Sequence, residues 1–332
     1  MTTTRRGTAS RTAAPTPAGR PLAGRVALVA GATRGAGRGI ARALGEAGAT
    51  VYCTGRSVAG RPSPYGRPET IEETAALVTA AGGSGIAVRV DHTVPAEVEA
   101  LCERIEAEAG RLDVVADSVA GEDPSLAGWT SFWETDLSRG EEALRQALLS
   151  HLITAKCATP LLIRRKRGLM VQVTEGDLLY GGGNGLSELV KSGLKVLAFR
   201  MSWDLKKHKV ASLAITPGFL RSEAMLQHFG VTPDTWRDAG KKDPHFLASE
   251  SPLFVGRAVA ALAADPKVMA RSGQVTCSWE LARAYGFTDE DGSRPDWGAH
   301  WARVVLPEMK WMAEGYRWNL ALLDQVTARA RG

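Results

Sequence analysis

Three glycines and two arginines give this chain its first chemical signature. The segment GATRGAGRGIA, Gly31 to Ala41, spaces Gly31, Gly35 and Gly37 as G-x-x-x-G-x-G. It follows the apolar run Val26 to Ala30 and opens a stretch with apolar residues at helical spacing (Ile40, Leu44, Ala47) that stops at Gly48. A strand, a glycine turn and a helix in that order form a dinucleotide-binding unit. Glycine permits the tight turn and lets the backbone approach a pyrophosphate, which rests on the positive end of the helix. Thr33 and Arg34 lie inside the turn. An NAD site needs an acid at the end of the second strand, to accept from the ribose 2′-hydroxyl. Here that segment ends in Gly55-Arg56. Arginine forms charge-assisted, often bidentate bonds to phosphate, so Arg34 and Arg56 predict a 2′-phosphate site and NADP(H) as the cofactor.

The elements that must position this turn alternate regularly. Strands are predicted at Val26–Ala30, Thr50–Thr54, Gly85–Val90, Leu112–Ala116, Leu169–Val173, Ala211–Thr216 and Gly273–Cys277. Between them lie helices over about Glu69–Ala81, a segment after Thr93 with Pro95 in its first turn, Arg139–Leu162, Gly185–Lys206 and Pro252–Ala264. In the segment after Thr93, Val98, Leu101, Cys102 and Ile105 share one face, and Thr93 is the expected cap. Strands separated by helices in this way predict an α/β fold, a Rossmann-type doubly wound parallel sheet of about seven strands. Residues 1–21 carry Thr, Ala, Arg and Pro with no acid. They cannot bury enough surface to offset their ordering and read as a disordered tail. The body spans 22–281, and 282–332 forms a helical C-terminal extension holding Trp297, Trp301, Trp311 and Trp318, which suggests a surface that docks on the body or on another subunit.

Composition narrows the classes. At 332 residues and 44% hydrophobic, the chain can bury one large α/β core. Its net charge of +5 is mild, and the one basic cluster, Arg164 to Arg167, falls between a helix and a strand as a solvated turn, so no nucleic-acid partner is expected. Four dispersed cysteines without a C-x-x-C pair read as buried free thiols of a reducing compartment. The six histidines lack ligand spacing, so no metal is expected. No apolar run reaches the roughly 18 residues of a membrane span, and a soluble cytoplasmic protein follows.

The wider spacing of the glycine turn resembles that of the short-chain dehydrogenases/reductases, and the likeness runs from about Leu22 to Trp279. The phrase Leu281 to Phe287, followed by Asp289 to Gly292, resembles a subgroup with an extended C-terminus. The resemblance implies that Asp91 binds the adenine amino group, that Pro217-Gly218 turns beside the nicotinamide and that Ser222 contacts the carboxamide. It implies a small-molecule substrate and a homodimer or homotetramer formed through the two long helices. It also implies a Tyr-x-x-x-Lys pair preceded by a serine. Lys191 matches the lysine, but Ser187 stands in the tyrosine position, and Thr174 in that of the serine. The asparagine expected on the first long helix falls near Gln146 or Ala147.

A serine hydroxyl is shorter and far less acidic than a phenol, and loss of a general acid costs about 10²–10⁴ in rate. Three readings follow. In the first, the protein is an NADP(H)-dependent oxidoreductase on a small apolar or aromatic carbonyl or alcohol. Thr174, Tyr180 or water then supplies the proton, and Gly181 to Gly183 let Tyr180 swing inward. In the second, the scaffold carries a non-redox isomerase, dehydratase or cyclase that uses Glu175 or Asp177 as base. In the third, it is a catalytically silent homologue. Met225, Leu226, Phe229, Trp236 and Phe246, with Trp129 and Trp133, are candidates to line the substrate pocket or to pack a core.

Overall fold

A computed structural model describes residues 19–63, 66–120, 131–176 and 184–309. Seven strands form one parallel sheet: β1 (Val26–Ala30), β2 (Thr50–Gly55), β3 (Ser84–Arg89), β4 (Val114–Asp117), β5 (Gly168–Val173), β6 (Val210–Thr216) and β7 (Val275–Cys277). Their order across the sheet is β3-β2-β1-β4-β5-β6-β7. The winding reverses between β1 and β4, which pair in parallel from Ala27 opposite Val114 to Ala30 opposite Asp117. The crevice at the carboxyl ends of these two strands is where such sheets bind ligands.

Helices cover both faces: α1 (Gly35–Glu46), α2 (Ile71–Ala80), α3 (Pro95–Ala109), α4 (Leu137–Leu144), α5 (Ser150–Arg164), α6 (Gly185–Lys206), α7 (Glu223–Phe229), α8 (Pro252–Ala264), α9 (Ser278–Tyr285) and α10 (Trp297–His300). The α2 start is fixed by a capping box in which Thr70 and Glu73 each accept from the other's backbone N–H. The cap of α3 departs from expectation. Val94 holds that position without a side-chain bond, because the Thr93 hydroxyl instead donates to Asp91 Oδ1 at 2.7 Å. The predicted helix over Arg139–Leu162 is interrupted by one wide π turn at Arg145–Leu149, where the Ser150 hydroxyl donates to the Gln146 carbonyl. One sheet face packs Val29, Val51, Val171 and Leu213 under α1 and α8, and the other packs Leu28, Tyr52, Val115 and Met170 under α3 and α5.

The four cysteines are free, Cys157 half-buried and the others buried. No helix among the described residues is long and apolar enough to cross a membrane, and no group of three metal-ligating side chains occurs among them. Of the terminal tail, Arg20 is already tied to the body through Gly82, and residues 1–18 lie outside the described part. So do Trp311, Trp318 and the rest of the extension beyond residue 309.

The tightest interhelical contact is between α1 and α8. A Cβ on Gly39 would collide with the Pro252 carbonyl, and one on Gly256 with the Gly39 carbonyl. Gly140, in contrast, has only ordinary contacts at 3.6 Å and beyond. Gly39→Ala is therefore expected to destabilise the fold by about 1–3 kcal/mol, as overpacked cores do, whereas Gly140→Ala leaves it unchanged or slightly stabilised. Urea unfolding midpoints of the two variants would check this, and equal midpoints would refute the contact.

Candidate active site

The first constraint on the site is steric. Gly31 adopts φ +73° and passes the Ser118 backbone so closely that a Cβ would lie 2.7 Å from its carbonyl carbon. A Cβ on Gly37 would strike the Gly31 carbonyl. At Gly35 (φ +54°) the nearest side-chain atom is 3.7 Å from such a Cβ, leaving room on the cleft side. The turn thus presents the N-terminus of α1 to a cleft of about 850 Å³. That volume lies within the range of about 300–1,000 Å³ typical of ligand and cofactor sites. With a backbone cradle and basic groups at one end, the residues present fit a phosphate-bearing dinucleotide.

Most of the sequence candidates line this one cleft: Gly31, Thr33, Arg34 and Gly35; Arg56 and Asp91; Thr174 and Lys191; and Pro217, Gly218 and Ser222. Gly37 packs behind the turn. Arg56 lies 3.9 Å from Asp91. Burial pushes the Asp91 carboxyl up, but its bonds to Thr93 and the Arg56 charge hold it below the usual carboxylate range.

An acid absent from the strand end arrives from elsewhere. Glu69, in the loop before α2, lies 3.4 Å from Arg34 and is gripped by Arg67 through bonds of 2.6 and 3.2 Å. Burial raises its carboxyl, and the bonds from Arg67 with the Arg34 charge more than offset this. Glu69 stands behind Arg34 and does not line the cleft, whereas Arg34 and Arg56 do. A second acid was equally invisible by spacing: Glu223, the first residue of α7, accepts the Gly35 N–H at 2.8 Å and sits 3.6 Å from Arg38.

The proton-transfer candidates separate. The Thr174 hydroxyl donates to the Lys191 carbonyl at 2.8 Å, so its proton is committed to the backbone of α6. Lys191 Nζ lies 3.8 Å from Glu175. Ser187 is buried in the first turn of α6, its N–H bonded to the N-cap Asn184. It lines a side cavity of about 130 Å³ and not the main cleft. Gln146 reaches the main cleft and Ala147 the side cavity. Tyr180 and Asp177 lie outside the described residues, as does Trp129.

Beneath the floor runs a buried polar layer. Asp117 Oδ1 accepts the Val119 N–H at 3.1 Å, and His151 Nε2 bonds the Val119 carbonyl at 2.8 Å, so this peptide is held from both sides. His151 Nδ1 meets Gln172 Oε1 at 2.6 Å. His92 is held between Thr54 and Thr154 at 2.8 Å each, and burial pulls its pKa down, against the opposing Asp117 charge. Asp117 Oδ2 and Gln172 Nε2 have no hydrogen-bond partner among the described residues.

The outer wall corrects the pocket expectations. Trp133 is 73% exposed and lies away from the cleft. Phe229, Trp236 and Phe246 form a small core of their own, with Leu226 against it, because α7 and its following turns must bury one face somewhere. Phe219 and Met225 line the cleft, joined by Trp297, Trp301, Val305 and Leu306 from the C-terminal extension and by His245. His245 Nδ1 and His300 Nε2 are 3.0 Å apart. The extension is fastened by Asp289, which takes Arg221 at 2.8 Å and the N–H of Ser251 at 2.9 Å. Trp297 packs so near Gly218 that a Cβ there would lie 2.6 Å from its Cβ. Only the excess of tryptophans in the tail signalled this wall in the sequence.

A family model described as short chain dehydrogenase matches residues 25–229. The chain is 34% identical over 277 residues to the mouse (Mus musculus) Dehydrogenase/reductase SDR family member 1, covering 82% of this chain and 85% of that protein. The corresponding human protein (Homo sapiens) is 31% identical over 277 residues with the same coverage. The crystal structure of a short chain dehydrogenase from Mycobacterium thermoresistibile matches with a TM-score of 0.69 at 18% identity, covering 83% of this chain and 92% of that one, a likeness of fold.

Glu250 carries a pH signature of this architecture. It is buried, and Oε2 accepts from the Gly218 N–H at 2.9 Å and the Ser278 hydroxyl at 2.5 Å. Burial pushes its pKa from the ordinary 4.5 up to about 8; these two bonds and Arg221 oppose the rise, and Asp289 adds to it. The unfolded chain therefore releases this proton near pH 4.5 while the folded chain keeps it to about pH 8. The unfolded state binds fewer protons in that window, so Glu250 makes stability fall as pH rises through it. Glu250→Gln is expected to flatten the decline in melting temperature between pH 5 and 8. An unchanged slope would show that Glu250 ionises normally.

Proposed function

The chain belongs to the short-chain dehydrogenase family, and from that premise we propose that it is an NADP(H)-dependent oxidoreductase acting on a small apolar or aromatic carbonyl or alcohol through a rebuilt proton-transfer site. One observation carries this reading: the glycine turn, Arg34, Arg56 and Lys191 all line a single cleft. The α1 N-terminus would hold the pyrophosphate. Arg34 and Arg56 would hold the 2′-phosphate, since Glu69 is turned toward Arg67 behind them. Asp91 would meet the adenine, and Pro217, Gly218 and Ser222 the nicotinamide end. When bound, the cofactor supplies or accepts a hydride. Lys191 would hold the nicotinamide ribose. Thr174 orders the Lys191 turn of α6, and the proton comes from a hydroxyl other than Ser187, namely Tyr180, Thr174 after release of its backbone bond, or water.

The substrate end is lined by aromatic (Phe219, Trp297, Trp301) and aliphatic (Met225, Val305, Leu306) side chains, which favours an apolar carbonyl compound. A non-redox reading rests on Glu175, whose carboxylate beside Lys191 could act as a base in an isomerisation or dehydration. For a homo-oligomer, α6 offers Leu189, Val196, Phe199 and Trp203 exposed, and Leu152 stands exposed on α5. Contiguous apolar surface of this kind suits an isologous contact between copies.

Fluorescence titration with NADPH and NADH tests the proposal. Tight NADPH binding is expected, and Arg34→Ala or Arg56→Ala is expected to weaken NADPH about tenfold while leaving NADH nearly unchanged. Absence of NADPH binding at micromolar concentration would sink the oxidoreductase reading. Equal loss for both cofactors would remove the 2′-phosphate assignment.

A further inference from the structure

The side cavity at Ser187 has a size and lining of its own. Its apolar wall is Val119, Ala120, Ala147, Val173, Val190 and Leu194. Its polar residues are Ser187, Lys191 and Glu175. At about 130 Å³ it approaches the volume of engineered apolar cavities, about 150 Å³, that take up a benzene ring. Five of its residues, Val119, Ala120, Val173, Glu175 and Lys191, also line the main cleft, so the two spaces share a wall.

A ring alone would set the Ser187 hydroxyl and the Lys191–Glu175 ion pair, 3.8 Å apart, against apolar surface, at a cost for polar groups that lose other partners. A ring bearing one hydroxyl removes the mismatch. The ring packs against Ala147, Val190 and Leu194 on α6 and the π turn before α5, while the hydroxyl meets Lys191. Lys191 favours the phenolate there and the Glu175 carboxylate opposes it, so the neutral phenol, donating to Glu175 or accepting from Lys191, is matched as it stands.

We propose that this cavity is a subsite for a phenolic ring. The assignment of that ring to the substrate itself, making the substrates carbonyl or alcohol compounds that also carry a phenol, rests on the oxidoreductase reading above; the subsite does not.

The test uses 4-fluorophenol as the probe, followed by ¹⁹F NMR on the full-length protein. Saturable binding of one molecule per chain is expected, with Kd in the millimolar range, as befits a ligand of so few atoms. Ser187→Phe fills the space with a ring of its own and is expected to abolish binding. Lys191→Met keeps the space but removes the cation and is expected to weaken binding at least threefold. Ser187→Ala enlarges the cavity slightly and is expected to retain binding, which guards against a folding defect in the bulky variant. No saturable binding by the wild-type chain, or equal binding by Ser187→Phe, would overturn the subsite. Binding of the probe without binding of NADPH would leave the subsite standing and remove its assignment to a reductase substrate. Binding of NADPH without the probe would do the reverse.

Discussion

The absence of a side chain at Gly31 is the constraint from which the cleft follows. Its backbone passes Ser118 at a separation that no Cβ could tolerate, and this joins the end of β1 to the end of β4 at the point where the winding of the sheet reverses. The same helix is then fixed along its length by further close contacts: Gly37 against the turn, Gly39 against Pro252 of α8, and Gly45 against Val78 of α2. A helix wedged at three points has little freedom to tilt, so the N–H groups at its start are held in place before any anion arrives. One of them, on Gly35, is satisfied by the Glu223 carboxylate. Arg38 lies 3.6 Å from the same carboxylate, so the acid at the helix start is held from two sides.

A second layer of order lies in polar groups rather than in packing. The Val119 peptide at the cleft floor is gripped by Asp117 and His151, and the Gly218 peptide at the opposite lip by Glu250. Both grips are buried, where a lost partner costs more than at the surface. The C-terminal extension joins this scheme through Asp289, which ties Arg221, Ser251 and thereby the outer wall to the segment after β6. The extension is therefore structural for the cleft: Trp297 closes against Gly218, a position where a larger residue would leave no space for the indole.

Legibility in the sequence tracked the range of the interaction. The strands, the glycine turn and α6 were readable because their signals are local: apolar runs, a spacing of glycines, a helix whose limits of Gly185 and Lys206 match the pattern. The cap of α3 was misassigned because the Thr93 hydroxyl had a nearer acceptor in Asp91. The pair Arg34 and Glu69 is separated by 35 positions, and Gly35 and Glu223 by 188, and no periodicity links such positions. For the same reason Trp236 and Phe246 could not be sorted between pocket and core by composition. Their satellite core is decided by how the turns after α7 fold back.

The surroundings of Ser187 show how binding and proton transfer can rest on different parts of one site. The main cleft is lined from the glycine turn, from the ends of several strands and from Lys191 on α6, whereas Ser187, one turn before Lys191, does not line it. Proton transfer depends on one group at one place, and a serine hydroxyl differs from a phenol in both reach and acidity. The side cavity beside Ser187 is bounded by Val190, Leu194 and Ala147, which pack together where α6 meets the π turn before α5. That small space has Lys191 at its edge and adjoins the main cleft. Binding and proton transfer are therefore separate questions for this chain, the first decided by the cleft and the second by the groups beside Lys191.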